Sequence, residues 1–418
     1  MSVDIIMVAS SIIFAILFLF LLSILIISIA SLFQKNKETA YEPKLSVIVP
    51  CYNEEKKVGK CLDAIHSSNY PKDKMEVIVV DDGSTDKTIE VLESFKENHP
   101  GLVVLKGEHK GKSESLNMGV KKALYAIIFT VDADTIVEKD TIRKLVQPFV
   151  EENVGATNGS CVVKNKNSLW GMFQNIEYHY NNLIRKSFSI LFRNGIWFFG
   201  AFACYRKKVL EDIGGFKKDT LTEDADIALE LYSAGYKTMN IHDAYGYVLV
   251  PSTFKGLLQQ RTRWWAGTLQ ALKKNKGLFS RKSSPSILFL FINQFWWSFY
   301  AVVSLPIIAY QFNYWLPYSG GMYELFAYTF RWFSLLGPLY VVYKIPEWGL
   351  NLFNIFGVMS GIISAVLITR AVHLFKEKLH LKNLMGIFFY FPYTIVLNTI
   401  IVISLFKLKF LKKRYFIY

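Results

Sequence analysis

Cysteine is scarce in this chain. Only four occur in 418 residues, Cys51, Cys61, Cys161 and Cys204, and none stands at the short spacing that a zinc knuckle or ribbon requires. A small structural zinc module is therefore excluded, and a disulfide framework is not expected. No internal repeat or low-complexity tract is present, which leaves no repeat array to explain. Helix-turn-helix, zinc-finger and ribonucleoprotein signatures are missing too, so the net charge of +14 is not read as nucleic-acid binding. Charge of either sign is absent from Ile5 to Phe33.

That charge-free run is what the chain has in place of those modules. At about 1.5 Å per residue it makes a helix longer than the roughly 30 Å hydrocarbon core of a bilayer, so it is expected to span the membrane with a tilt. It is too long, and lacks the basic start, for a cleaved leader. Asp4 precedes it while Lys35 and Lys37 follow, which by the positive-inside rule puts the N-terminus outside and the central region in the cytosol. Further apolar stretches run over about 286–311, 323–345, 348–369 and 386–406. The second contains Arg331, Gly337 and Pro338 and reads either as a span or as an interfacial or re-entrant helix. Basic clusters at Lys273, Lys274, Lys276, Arg281 and Lys282, and at Lys407, Lys409, Lys412, Lys413 and Arg414, are suited to anionic lipid headgroups. The loop carrying Arg370, Lys376, Lys378 and Lys382 is separated from the basic tail by one apparent span. Both cannot be cytosolic if every stretch crosses once, so charge leaves the C-terminal topology open.

Between the membrane ends the pattern changes. Leu45–Val49, Val77–Val80, Val103–Leu105 and Ile127–Val131 read as short strands, alternating with helical spacing over Lys87–Lys96 and Ser113–Tyr125. This is an α/β pattern, a mostly parallel sheet with helices on its faces. From Gly155 to about Lys282 the pattern is less regular, with a helix expected from Asp224 to Ala234. Thr253 to Lys276 reads as a basic amphipathic helix in the membrane interface, or alternatively as a core-facing helix. The expected organisation is a membrane helix over 1–34, a cytosolic domain over 35–252, an interfacial helix over 253–284, and membrane helices with a basic tail over 285–418.

Three polar loops fall just past strand ends, the edge where open α/β sheets bind ligands: Tyr52-Asn53-Glu54, Asp81-Asp82-Gly83-Ser84 and Asp132-Ala133-Asp134. Asp132 and Asp134 can place two carboxylates around a hard divalent cation that bridges phosphate oxygens. Asp81 and Asp82 can accept hydrogen bonds from a uracil imide or a ribose hydroxyl, although these residues also build ordinary turns. Lys112 can pair with a diphosphate. In Thr222-Glu223-Asp224, Thr222 is placed to cap a helix, Asp224 to act as general base and Glu223 to arrange the site. Acids in a first helical turn also simply suit the helix dipole. Gln260, Arg263 and Trp264 span about one helical turn, bringing together a sugar hydrogen-bonder, a phosphate holder and a ring platform. Trp265 reads as an interfacial anchor.

With these residues in order, the chain resembles the processive, membrane-embedded inverting glycosyltransferases, the cellulose, chitin, hyaluronan and poly-N-acetylglucosamine synthases. The likeness rests on VIVPCYNE from Val47, VVDDGSTD from Val79, GKSESLN from Gly111, TVDAD from Thr130, TEDADIALEL from Thr222 and VPSTFKGLLQQRTRW from Val250. The last two are most similar to poly-N-acetylglucosamine synthases. The resemblance implies a Rossmann-like A-type glycosyltransferase domain inserted between transmembrane helices. It further implies nucleotide contacts from Tyr52, Glu54, Asp81, Asp82, Lys112 and Asp132, and a Mg or Mn ion at Asp132 and Asp134. Asp224 would be the base beside Glu223, and Phe199-Gly200-Ala201-Phe202 would line the acceptor, with Gln260, Arg263 and Trp264 holding donor and acceptor. The implied partners are a UDP-sugar, a growing β-linked polysaccharide and the bilayer, with room for an accessory export subunit and no nucleic acid. Two other functions fit less of the pattern: a single-sugar transferase acting on a membrane lipid or polyisoprenyl phosphate, and a transporter with a degenerate nucleotide-sugar domain. Arg331 in an apolar stretch is a departure that suits a polar path.

Overall fold

Every residue from Leu45 to Cys51 is buried, as expected of a strand roofed by helices on both faces. The computed structural model describes residues 2–34, 40–195, 198–314, 320–332, 334–375 and 381–408, and this strand lies within an eight-stranded sheet. Lys35, Lys37, Lys376, Lys378, Lys409, Lys412, Lys413 and Arg414, and the side chains of Arg331 and Lys382, lie outside the described residues. In chain order the strands are β1 (Leu45–Cys51), β2 (Met75–Asp81), β3 (Leu102–Lys106), β4 (Ile127–Val131), β5 (Ile136–Val137), β6 (Val154–Val163), β7 (Phe202–Arg206) and β8 (Lys237–Val248). They lie side by side as β3-β2-β1-β4-β7-β6-β8-β5.

Alternation along the central strands builds two cores. Leu45, Val47, Val49, Val77, Val79, Ile127 and Phe129 pack on one face, while Ile48, Ile78, Val80 and Ile128 pack on the other. β1 pairs in parallel with β2 and β4, and β2 with β3. Beyond β4 the sheet becomes mixed: β7 runs antiparallel to β4 and β6, β8 parallel to β6, and β5 antiparallel to β8. The expectation of a mostly parallel sheet thus describes its first half. Because the chain order reverses at β1, the ends of β1, β2 and β4 open one crevice, and the three polar loops sit there.

Helices Thr88–Asn98, Lys112–Lys122, Glu223–Ser233 and Phe254–Lys274 lie where the spacing places them. A fifth, Leu169–Phe192, falls in the segment whose pattern is irregular. Ser168 caps it, accepting from Gly171 N. It packs against β6 and β8 on one side and against the apolar helices on the other.

Among the described residues four helices are long and apolar enough to cross a membrane: Met7–Phe33, Pro285–Tyr310, Leu352–Leu374 and Tyr390–Lys407. The ambiguous second stretch forms two short helices instead, Met322–Trp332 and Gly337–Trp348. Each is roughly 17 Å long, about half of a hydrocarbon core. Pro338 lies at the break and packs on Gly361, halfway along Leu352–Leu374. Tyr328 Oη donates to Phe312 O at 2.6 Å, and Leu335 N donates to Phe388 O at 3.0 Å. The pair therefore enters the bundle and turns back within it. Phe14 meets Phe353, Phe18 meets Phe356, and Arg370 Nε donates to Ser28 Oγ at 2.9 Å, so Leu352–Leu374 runs parallel to the N-terminal helix.

Candidate active site

Asp132 and Asp134 form the turn after β4, and Asp132 N donates to Ala201 O at 2.8 Å, binding this turn to the segment before β7. Lys112 Nζ lies 2.7 Å from Asp132 Oδ1 and 3.0 Å from Glu223 Oε1. Lys57 is 3.8 Å from Asp134 and 3.0 Å from Glu54. Burial pushes both aspartates above the usual carboxylate range, against the pull of Lys112 on Asp132 and of Lys57 on Asp134. Two carboxylates crowded in this way are a suitable half of a divalent-cation site. Mg²⁺ and similar ions commonly take one or two carboxylates and complete their shell with substrate phosphates and water. Among the described residues no group of three or more His, Cys, Asp or Glu that could hold a metal ion exists.

The neighbouring acids have other partners. Asp82 accepts from Lys110 N at 2.9 Å and Gly111 N at 2.8 Å, which fixes the loop presenting Lys112. Asp81 accepts from Ser84 N at 3.1 Å and from the Ser84 hydroxyl. Both aspartates are 2% exposed. Tyr52 stacks on His109 with centroids 4.2 Å apart, making a flat aromatic surface beside this loop.

Thr222 occupies the first position before the Glu223–Ser233 helix, but its side chain makes no capping bond, and Thr222 Oγ1 finds no partner among the described residues. Its hydroxyl is instead packed against Gly267 of the Phe254–Lys274 helix. Burial works to raise Glu223, yet Lys112 and Arg263 outweigh it and hold its carboxyl below the usual range. Asp224 behaves in the opposite way. Burial, reinforced by the negative Glu223, pushes it up to about 6 against the pull of Lys112. Asp224 Oδ2 accepts from Gly200 N at 2.7 Å, and Oδ1 from Ala225 N at 2.8 Å. Two adjacent carboxyls are thus driven apart in acidity, one held as an anion and one near neutrality.

Gln260, Arg263 and Trp264 line the same cavity as Lys112, Asp132, Asp134, Glu223 and Asp224. Its volume is about 790 Å³, and it continues past Phe199 and Gly200 to Trp297, Asn398 and Gly361 among the apolar helices. Trp265 donates from Nε1 to Ser298 Oγ at 3.1 Å, tying its helix to Pro285–Tyr314. Tyr52, Glu54, Asp81 and Asp82 are not in the cavity lining; they stand behind it at the sheet edge.

Sequence reading passes over several residues here. Glu177, Tyr178 and Arg185 all belong to the Leu169–Phe192 helix. Tyr178 stacks on Phe199 at 5.8 Å and approaches Trp264 at 6.5 Å. The buried Arg185 guanidinium sits 4.1 Å over the Phe199 ring and donates to Asn182 Oδ1 and Gly159 O, each at 3.1 Å. Gln174, Tyr178, Asn182 and Arg185 recur at a helical three-or-four spacing. That is the signal by which this face was legible, except that it is polar and turned inward.

Residues 43–267 match the family described as "Glycosyltransferase like family 2". The chain is 30% identical over 320 residues to a poly-beta-1,6-N-acetyl-D-glucosamine synthase of Staphylococcus epidermidis, covering 73% of this chain and 76% of that one. It is 32% identical over 234 residues to the enzyme of that name from Staphylococcus aureus strain COL, 55% of this chain and 56% of the other. In three dimensions it is similar to a mannosyltransferase from Pyrobaculum calidifontis solved with GDP-Man and Mn2+. The TM-score is 0.61 at 23% identity, over 88% of this chain and 99% of that one. That likeness supports the A-type fold.

Proposed function

The chain belongs to glycosyltransferase-like family 2, and from that premise we propose that it transfers N-acetylglucosamine from a UDP donor to a growing β-linked polysaccharide. The observation that carries this reading is the single cavity joining Lys112, Asp132 and Asp134 to Asp224 and Trp264, and continuing between the membrane helices. The donor diphosphate lies against Lys112 and Arg263, with Asp132 and Asp134 positioned to hold Mg or Mn. When bound, that cation supplies charge neutralisation to the departing diphosphate. Asp224 takes the proton of the acceptor hydroxyl as it attacks the anomeric carbon, and one direct displacement inverts the configuration there. Glu223 stays ionised and holds Lys112 in place. Trp264, with Phe199, supports the acceptor ring.

The cation has a suitable donor set in two burdened carboxylates, and the product has an exit in the same void. On this reading the catalytic domain faces the cytosol, as Lys35 and Lys37 indicate by the positive-inside rule. The turning-back helix pair then leaves the Leu374 end of Leu352–Leu374 on the catalytic side and the Lys407 end of Tyr390–Lys407 on the other. An accessory export subunit is compatible with the apolar bundle surface. The decisive test offers UDP-glucose, UDP-N-acetylglucosamine and UDP-glucuronate to purified full-length protein with Mg or Mn, measuring UDP release and product size. A polymer from UDP-N-acetylglucosamine is expected. A single-sugar lipid adduct would replace the polymerase reading with a one-step transferase.

Two consequences can be checked on the same assay. Asp224 must be ionised to accept a proton, and its pKa is raised to about 6. The rate of UDP release should therefore rise with pH through about 6 and fall away below it, with wild-type rates flat above about pH 7. The second concerns Gly200, where an added Cβ would stand 2.9 Å from Asp224 Cβ and 3.0 Å from Oδ2. Gly200→Ala must push the base aside, so a loss of about 10²-fold in turnover is expected, with donor binding retained when followed by UDP titration.

A further inference from the structure

The acceptor platform has a buried support that also grips the membrane helices. Arg261 sits between the two halves of the Gln260, Arg263, Trp264 element and is 7% exposed. Its guanidinium lies 4.3 Å from the Trp264 ring centre, and its Nη1 donates to Gln260 Oε1 at 2.8 Å. Nη2 donates to Glu177 Oε2 at 2.9 Å. The same Glu177 oxygen accepts from the hydroxyl of Tyr393, which belongs to the long helix Tyr390–Lys407. Three elements meet at one carboxylate: the polar helix Leu169–Phe192, the motif helix Phe254–Lys274 and a candidate membrane span. Phe173 adds a stacked ring against Tyr393 with centroids 5.2 Å apart, so the span has few ways to move without disturbing Glu177.

We propose that Arg261, Glu177 and Tyr393 form a positioning unit that sets the Trp264 platform relative to the membrane-spanning helix, and thereby governs how firmly the acceptor end is held between transfers. The unit rests on the reading of Trp264 as acceptor platform. A guanidinium suits the role because one planar group can pair with a carboxylate, donate to an amide and lie against an indole at once. A lysine at this place would keep the charge and lose the geometry. Glu177 is an apt joint, since a half-buried carboxylate with two donors resists the loss of either. Glu177 and Arg261 belong to the cavity wall beside the Trp264 platform, so the effect of the unit should fall on the acceptor side of the kinetics and not on the donor side.

Tyr393→Phe is the informative variant, because it leaves the Arg261 pair intact and removes only the bond between the span and Glu177. In the full chain reconstituted into lipid vesicles, with a short N-acetylglucosamine oligomer as acceptor, the expected result is an acceptor KM raised about tenfold and a correspondingly shorter mean product. Donor KM should stay within about twofold. Arg261→Lys should show the same split at least as strongly, which a charge-only role would not produce. If Tyr393→Phe moves donor and acceptor KM together, or moves neither, the positioning role is overturned. Trp264→Ala tests the underlying reading separately. Unchanged acceptor KM and product length in that variant would remove the platform, and the unit with it. A strong Trp264→Ala defect beside a silent Tyr393→Phe would remove the unit alone.

Discussion

Asp224→Asn is expected to reduce sugar transfer by about 10²- to 10⁴-fold, the range usual for loss of a general base. The substitution is nearly isosteric, but its effect on the local hydrogen bonds is not neutral. Asp224 accepts from two main-chain N–H groups, Gly200 through Oδ2 and Ala225 through Oδ1. Asparagine offers one oxygen and one NH₂, so one of those N–H groups must face a donor. A stability cost of about 1–3 kcal/mol follows from that mismatch, small enough for the domain to remain folded. UDP binding to the variant should persist because Lys112, Asp132 and Arg263 are untouched. Glu223→Gln makes the contrast. It removes the anion paired with Lys112 and should act on donor affinity before turnover. If Asp224→Asn released UDP from the donor at the wild-type rate in the presence of acceptor, the base would have to be reassigned.

The first half of the sheet was open to reading because its physics is local. β1 and β4 are buried on both faces and carry near-continuous apolar runs, and each strand is followed at once by polar turn residues. The same clarity located Asp132, Asp134, Glu223 and Asp224, which stand at element ends where backbone geometry alone brings side chains to the crevice. β6 offered no such pattern. It runs Val154-Gly155-Ala156-Thr157-Asn158-Gly159-Ser160, and Gly159 is small because a Cβ there would stand 2.4 Å from the Phe202 ring. That requirement comes from a strand more than forty positions away and leaves no trace in local periodicity.

The Leu169–Phe192 helix was hidden for a related reason. Its buried face carries Gln174, Asn182 and Arg185, whereas periodicity arguments assign polar stripes to solvent. These side chains are buried because they bond to main-chain groups of Pro251, Cys161 and Gly159, partners set by tertiary folding. Arg261 escaped notice within the very element that was singled out, since spacing argued for Gln260, Arg263 and Trp264 as the side chains that meet at one site. The two short helices of the second apolar stretch were half legible. Arg331, Gly337 and Pro338 marked the interruption, but the turn back follows only from tertiary contacts, those of Tyr328 with Phe312, Leu335 with Phe388 and Pro338 with Gly361.

Asp132→Asn is expected to lower turnover by about 10³-fold and to raise the concentration of Mg or Mn needed for half-maximal rate, since several kcal/mol of leaving-group stabilisation depend on the cation. The two aspartates are not equivalent in their surroundings. Asp132 lies 2.7 Å from Lys112, which also holds Glu223, whereas Asp134 faces Lys57 at 3.8 Å. On the proposed reading, removing the Asp132 charge takes away a metal ligand and releases Lys112 toward Glu223, loosening the group that would meet the diphosphate. Asp134→Asn should remove the ligand alone, so its metal requirement should rise while its donor KM changes less. Chelation followed by graded return of Mn²⁺, with UDP release as the readout, separates the two variants. Full activity of the wild-type chain under chelator would mean that these carboxylates serve the donor without a cation.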